Sequence, residues 1–193
     1  MILPVVKFGD PVLRKKGARI EEITTEIQTL IDDMLETMYD SNGVGLAAQQ
    51  VGHAKMLTVI DVRDAERPST LEIDGQSTPV ESIMPLVLIN PELKPLGTDE
   101  AGGEGCLSFP EIYADIKRKE SVEVVALNRK GEKISFRCGG LLSRAVQHET
   151  DHLNGILFID RMDSETKADL KPEYQAIEAA TKAEIQKKAK LKK

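Results

Sequence analysis

The chain is poor in the residues that bind soft metals or form cross-links: its 193 residues include two cysteines and three histidines. Two cysteines, Cys106 and Cys138, cannot form a disulfide framework. In a reducing compartment such rare cysteines serve as ligands, nucleophiles or core filler. No apolar run approaches the roughly 20 residues a bilayer-spanning helix requires, which excludes a helical membrane protein. With 40% hydrophobic and 30% charged residues, the composition is that of a folded globular chain rather than a disordered one. The opening MILPVVKFGDP has no basic stretch leading into a long apolar one, so no secretory leader is expected and the expected location is the cytoplasm. A net charge of -6 argues against DNA or an extended nucleic-acid surface as partner. The segment from Gln186 to Lys193 is the basic exception.

The length fits one domain with an appendage, since domains commonly run to about 100–200 residues. Ile23, Ile27, Leu30, Ile31, Met34, Leu35 and Met38 follow a helical stripe that stops at Asp40-Ser41-Asn42-Gly43. A glycine-rich loop, GVGLAAQQVG, comes next. Met56 to Val62 and Leu86 to Asn90 have strand composition, and the polar stretch 63–82 between them reads as an exposed excursion. Ser121 to Leu127 and Glu132 to Cys138, joined by Asn128-Arg129-Lys130-Gly131, read as a hairpin. Leu141 to Leu153 returns to helical spacing as a buried helix ending at Asn154-Gly155, and residues 164–193 are helical, with Pro172 starting or kinking a segment. The expected fold is α+β. Antiparallel or mixed sheets pack around a central helix, with an N-terminal helix and a C-terminal helix, as residues 1–165 plus an extension over 166–193.

That central helix carries His148-Glu149-Thr150-Asp151-His152, an H-E-x-x-H motif. Histidines at i and i+4 share one helical face and close on a single divalent metal, while the intervening glutamate addresses a water. A third ligand is needed. Downstream of His152 there is no histidine, which leaves Glu165, Glu173 and Glu178 on spacing alone. Upstream, Cys106 sits in Glu104-Gly105-Cys106-Leu107-Ser108 behind Gly102-Gly103, a segment read as a loop whose backbone approaches the metal, and its thiolate is the better candidate. Cys138, at the end of a strand, reads as a buried hydrophobe. Gly43-x-Gly45-x-x-Ala48 matches a dinucleotide fingerprint in letters only, because a helix rather than a strand precedes it.

Three blocks together resemble the peptide deformylase family: Gly43-Val44-Gly45-Leu46-Ala47-Ala48-Gln49-Gln50, Glu104-Gly105-Cys106-Leu107-Ser108, and Gln147-His148-Glu149-Thr150-Asp151-His152 followed by Leu153-Asn154-Gly155. Gly9-Asp10-Pro11-Val12-Leu13-Arg14 extends the likeness to residues 2–165. The resemblance implies a hydrolase that removes the formyl group from the N-terminal formylmethionine of newly synthesised polypeptides. It implies metal on Cys106, His148 and His152, a water in the open position as nucleophile, and Glu149 as general acid/base. The Gln50 amide and the Leu107 backbone N–H are implied as oxyanion donors. Gly45 and the segment around Glu104 would read the substrate main chain, while Val44, Leu141 and Ala145 would receive methionine. Ferrous iron is the implied native cofactor, replaceable by zinc, nickel or cobalt.

The chain departs from the family pattern at Tyr113, where many members carry arginine, which opens the question of preference beyond methionine. Asp151 is expected either to accept a bond from a ligand histidine or to tie down the helix. The basic C-terminal tail suggests a ribosome contact, with helix-end lysines in water as its plain counterpart. Two other functions share part of the motif: a zincin-like metallopeptidase with its third ligand after His152, and a structural zinc-binding protein using both cysteines.

Overall fold

The computed structural model describes residues 1–191, so Lys192 and Lys193 of the basic tail lie outside the described residues. Helix α1 spans Thr25–Asp40, capped by Thr24, whose side chain accepts from the Ile27 N–H. Its buried stripe is Ile27, Leu30, Ile31, Met34 and Met38. Asn42, at φ 53°, takes the left-handed conformation that the Asn-Gly signal predicts, and the Gly43 N–H returns to the Met38 carbonyl.

The strands are β1 (Gly45–Ala47), β2 (Leu57–Ile60), β3 (Ser69–Ile73), β4 (Gln76–Ser77), β5 (Leu86–Cys106), β6 (Phe109–Leu127) and β7 (Lys133–Gly139). They form one antiparallel sheet in the order β1-β2-β5-β6-β7-β3-β4. The expected hairpin is the β6–β7 pair, with Val124 facing Phe136 in register. Three expectations need correction. The glycine-rich segment after α1 is not all loop: Gly45–Ala47 is a buried strand and Ala48–Val51 a 3-10 turn. Residues 63–82 are more than an excursion, because Ser69–Ile73 extends the sheet on β7 and buries Leu71 in the core. The glycines at 102, 103 and 105 lie in a strand rather than a loop, since β5 runs unbroken to Cys106, paired with β6 from Asp99↔Lys119 to Gly105↔Tyr113. Glycine depletion in strands hid this segment, and the long pairing with β6 overrides the propensity.

Helix α2, Gly140–Leu153, lies against this sheet with all but three of its residues buried. The Gly155 N–H bonds the His152 carbonyl and the Ile156 N–H bonds that of Asp151, ending the helix. Gly155 has φ 72°, and a Cβ there would sit 2.5 Å from the Arg14 carbonyl oxygen, so both conformation and space require glycine. Helices α3 (Ser164–Asp169) and α4 (Lys171–Leu191) follow. Pro172 opens the second of them rather than kinking one long helix. Tyr174 is the buried residue of α4, and its ring meets Phe8 edge-on at 6.0 Å.

Phe109, fully buried just after the Cys106 turn, stacks on Phe8 at 4.8 Å and meets Phe158 edge-on at 5.0 Å. It ties the N-terminal segment to the β5–β6 turn and to the chain after α2. Phe109→Ala should cost about 3–5 kcal/mol of unfolding free energy in urea denaturation, the range for truncating a large buried aromatic.

Candidate metal centre

Cys106 ends β5, and His148 and His152 lie one turn apart on α2. One ligand atom from each falls within 4.8 Å of the others. The Cys106 Sγ is 3.3 Å from His152 Nε2, and the two imidazole centroids are 5.1 Å apart. Ligands at about 2.0–2.3 Å around a tetrahedral ion stand about 3.5 Å from one another, so this spacing fits one cation with little adjustment. The donor set of one thiolate and two imidazoles suits zinc and iron-group metals. Glu165, Glu173 and Glu178 are on α3 and α4, away from the cluster, and the third ligand comes from upstream. Cys138 belongs to the core packed under β6 and β7, where burial pushes its thiol up to about 12, consistent with a small hydrophobe. His53 is exposed.

Glu104 governs the orientation of the first histidine. Its carboxylate accepts from His148 Nδ1 at 2.8 Å, from Arg118 Nε at 2.6 Å and Nη2 at 3.0 Å, and from Arg144 Nη1 at 2.9 Å. With Nδ1–H committed to Glu104, the Nε2 lone pair of His148 is left for the metal. Burial opposes the Glu104 charge, but the bonds from His148 and Arg118 win and hold its carboxyl down at about 2. Arg118 spans from Glu104 to Asp151, donating through Nη1 at 2.8 Å, and Asp151 also accepts from Arg161 at 2.7 Å. Of its two expected roles, Asp151 therefore ties down the helix, while Glu104 accepts from the ligand histidine.

The two histidines have opposite tendencies. Burial opposes the His148 imidazolium, yet the bonds to Cys106 and Glu104 push it up to about 10. Burial and the neighbouring His148 charge hold His152 well below the usual range. Because a ligating imidazole is neutral at the coordinating nitrogen and a ligating cysteine is a thiolate, metal binding displaces a proton from this cluster.

Glu149 is buried beside the ligands, and its Oε2 has no hydrogen-bond partner. Burial pushes its carboxyl up to about 7. A Cβ on Gly45 would stand 2.5 Å from Glu149 Oε1, so β1 approaches this closely only because residue 45 has no side chain. Gln50 sits on the 3-10 turn after β1. Its Oε1 accepts from the Ala47 N–H at 2.9 Å, which directs Nε2 toward Cys106 Sγ at 3.6 Å and Ser108 Oγ at 3.5 Å. The Leu107 carbonyl accepts from Lys7 Nζ at 2.7 Å, fixing the turn directly after the ligand cysteine. Val44, Gly45, Glu104, Leu141 and Ala145 all line one cavity of about 150 Å³ that is also bounded by Cys106, His148 and Glu149.

A family model described as polypeptide deformylase matches residues 2–168. The chain belongs to the polypeptide deformylase family. It is 42% identical over 185 residues to the peptide deformylase of Opitutus terrae, covering 95% of this chain and 96% of that one. It is 46% identical over 177 residues to that of Methylacidiphilum infernorum, covering 92% and 93%. Among solved structures, a Synechococcus elongatus peptide deformylase in complex with actinonin superposes with a TM-score of 0.75 at 39% identity, over 89% of this chain and 85% of that one. The Thermotoga maritima enzyme gives 0.71 at 36% identity, over 84% and 99%. Family and geometry agree on a metal-dependent hydrolase with its metal site at Cys106, His148 and His152.

Sequence reasoning missed Arg118, Arg144 and Lys7. Two of them carried a signal: Arg118 continues the buried alternation Ile112, Ala114, Ile116 on β6, and Arg144 lies among apolar positions of α2. A cation in a buried stripe requires a buried anion, which points to Glu104 and Asp151. Arg118→Ala should lower unfolding free energy by about 3–5 kcal/mol in chemical denaturation, because it strips a partner from two buried carboxylates at once.

Proposed function

We propose that the chain removes the formyl group from the N-terminal formylmethionine of newly made polypeptides, releasing formate. The observation that carries the mechanism is the Glu149 carboxylate. It is buried one helical position from a metal ligand, faces the cavity, and has an oxygen with no partner. Cys106, His148 and His152 would hold a divalent cation, which when bound would supply Lewis acidity toward the formyl carbonyl and lower the pKa of a water. Glu149 takes the proton from the attacking water and returns it to the departing amide nitrogen, so one carboxylate serves both halves of the reaction. The Gln50 amide, held by the Ala47 N–H, and the Leu107 N–H donate to the developing oxyanion. Val44, Leu141 and Ala145 receive the methionine side chain, and the bare backbone at Gly45 accommodates an extended peptide main chain.

Ferrous iron is the native metal in this reading, with zinc, nickel or cobalt able to replace it, on the family resemblance and on a donor set that suits them all. Residues 1–165 form the catalytic unit in the cytoplasm, and residues 166–193 an extension whose basic end contacts ribosomal RNA phosphates. The exposure of α4 from Lys182 to Leu191 supports an outward-facing role, while Lys182 and Lys188 pair along the helix with Glu178 and Glu184. Deletion of 187–193 should weaken salt-sensitive ribosome binding in a sedimentation assay.

Formate release from a formyl-Met peptide, measured together with metal content, tests the mechanism. Glu149→Ala should retain metal and lose turnover, Cys106→Ser should lose metal, and Gln50→Ala should reduce turnover about 10²–10³-fold. Full activity in Glu149→Ala would reject the assignment.

A further inference from the structure

The segment between β2 and β3 sends one side chain into the catalytic cavity. Arg67 is exposed, yet it lines the same cavity as Cys106, His148 and Glu149, and its Nη1 donates to the Gly103 carbonyl at 3.1 Å. Gly102 is the point of closest approach: a Cβ there would stand 2.9 Å from Arg144 Nη2 and 3.1 Å from Arg67 Nη2, so two guanidinium groups converge at this glycine. Their charge balance differs sharply. Arg144 is buried, pairs with Glu104 and donates to the carbonyls of Glu100, Gly102 and Ile116. Arg67 forms no ion pair among the described residues, and the Gly103 carbonyl is its sole hydrogen-bond partner.

Nearby carboxylates do not neutralise it. Glu104 is fully engaged by Arg118, Arg144 and His148. Glu149 is buried behind Gly45. Asp115 pairs with Gly103 across β5–β6, which puts its side chain on the face of the sheet opposite to the Gly102 face that Arg67 and Arg144 approach. Glu66, beside it in sequence, and Glu100, two positions from Gly102 on the same strand face, are exposed and form no ion pair with it, so the outer wall of the cavity carries a cation without an ionic partner among the described residues. A substrate whose methionine fills the cavity leads its following residues out past this wall.

We propose that Arg67 is a specificity-determining residue that favours substrates with an acidic side chain in the first two positions after formylmethionine. The inference rests on the deformylase reading above. The substrate carboxylate replaces the Gly103 carbonyl as acceptor for the guanidinium, an exchange of a neutral for a charge-assisted bond. Because the site is exposed, the gain is that of a surface ion pair, about 2–5-fold, and is screened by salt.

The test is the ratio of kcat/KM for formyl-Met-Glu peptides to that for their formyl-Met-Gln isosteres, with the pair repeated one residue further on. It uses the full chain loaded with nickel. At low ionic strength the ratio should be about 2–5 at one of the two positions and fall toward one in 0.5 M salt. Arg67→Ala should bring it to one, Arg67→Lys should keep it above one, and Arg67→Glu should invert it. A ratio of one in the native chain, or a ratio that survives Arg67→Ala, would overturn the proposal while formate release from the Gln peptides left the deformylase reading standing. Absence of formate from every peptide would instead remove the reading and the proposal together.

Discussion

The arrangement depends on one buried carboxylate. Glu104 lies near the end of a 21-residue strand and holds, at once, an arginine from the neighbouring strand, an arginine from α2 and the imidazole of a metal ligand. An isolated charge in that position would be costly to bury. With three donors it becomes a clamp between the sheet and the helix that carries two of the three ligands. Arg118 extends the clamp to Asp151 and Arg161, so the helix is held near both His148 and His152. The third ligand, Cys106, follows Glu104 by two residues on the same strand. The same stretch of backbone that supplies the thiolate thus sets the tautomer of the opposite imidazole.

Opposite this clamp, the site is shaped by what β1 lacks. Because residue 45 has no side chain, β1 comes close enough to enclose Glu149 and raise the affinity of its carboxyl for a proton. The Gln50 amide is aimed by a bond to the β1–turn backbone, and the Leu107 peptide by Lys7. Strand β5 and helix α2 supply the three candidate ligands and Glu149, and the more exposed segment between β2 and β3 supplies only Arg67 at the rim. This division suits chemistry that must be fixed in place and selectivity that is modest and electrostatic.

Much of this was legible in the residues because the informative types are scarce. With three histidines in the chain, two of them four apart around a glutamate on a helical stripe leave little else for that helix to do, and the cysteine block identified the third ligand. Helix α1, the β6–β7 hairpin and α2 followed from periodicity and turn residues. The strand nature of residues 99–106 was hidden because its glycines and charges are those of a loop, and only the long pairing with β6 makes it a strand. Residues 69–73 were hidden for a similar reason: a five-residue strand with one buried leucine has no pattern of its own. The role of Glu104 depends on contacts across 14, 40 and 44 positions of sequence, which local spacing does not carry.

The Glu104 carboxylate organises the metal site rather than merely filling space beside it, and this role can be measured. Its most direct test is the dissociation constant for Ni2+ of Glu104→Gln against the native chain, with the folded fraction of each followed by circular dichroism. The amide keeps the shape but is a weaker acceptor for His148 Nδ1–H and removes the charge that pairs with Arg118 and Arg144. Glu104→Gln should give a folded protein whose metal affinity falls about 10–100-fold, the usual effect of losing such a partner to a ligand histidine. A folded Glu104→Gln chain that binds Ni2+ as tightly as the native one would contradict it.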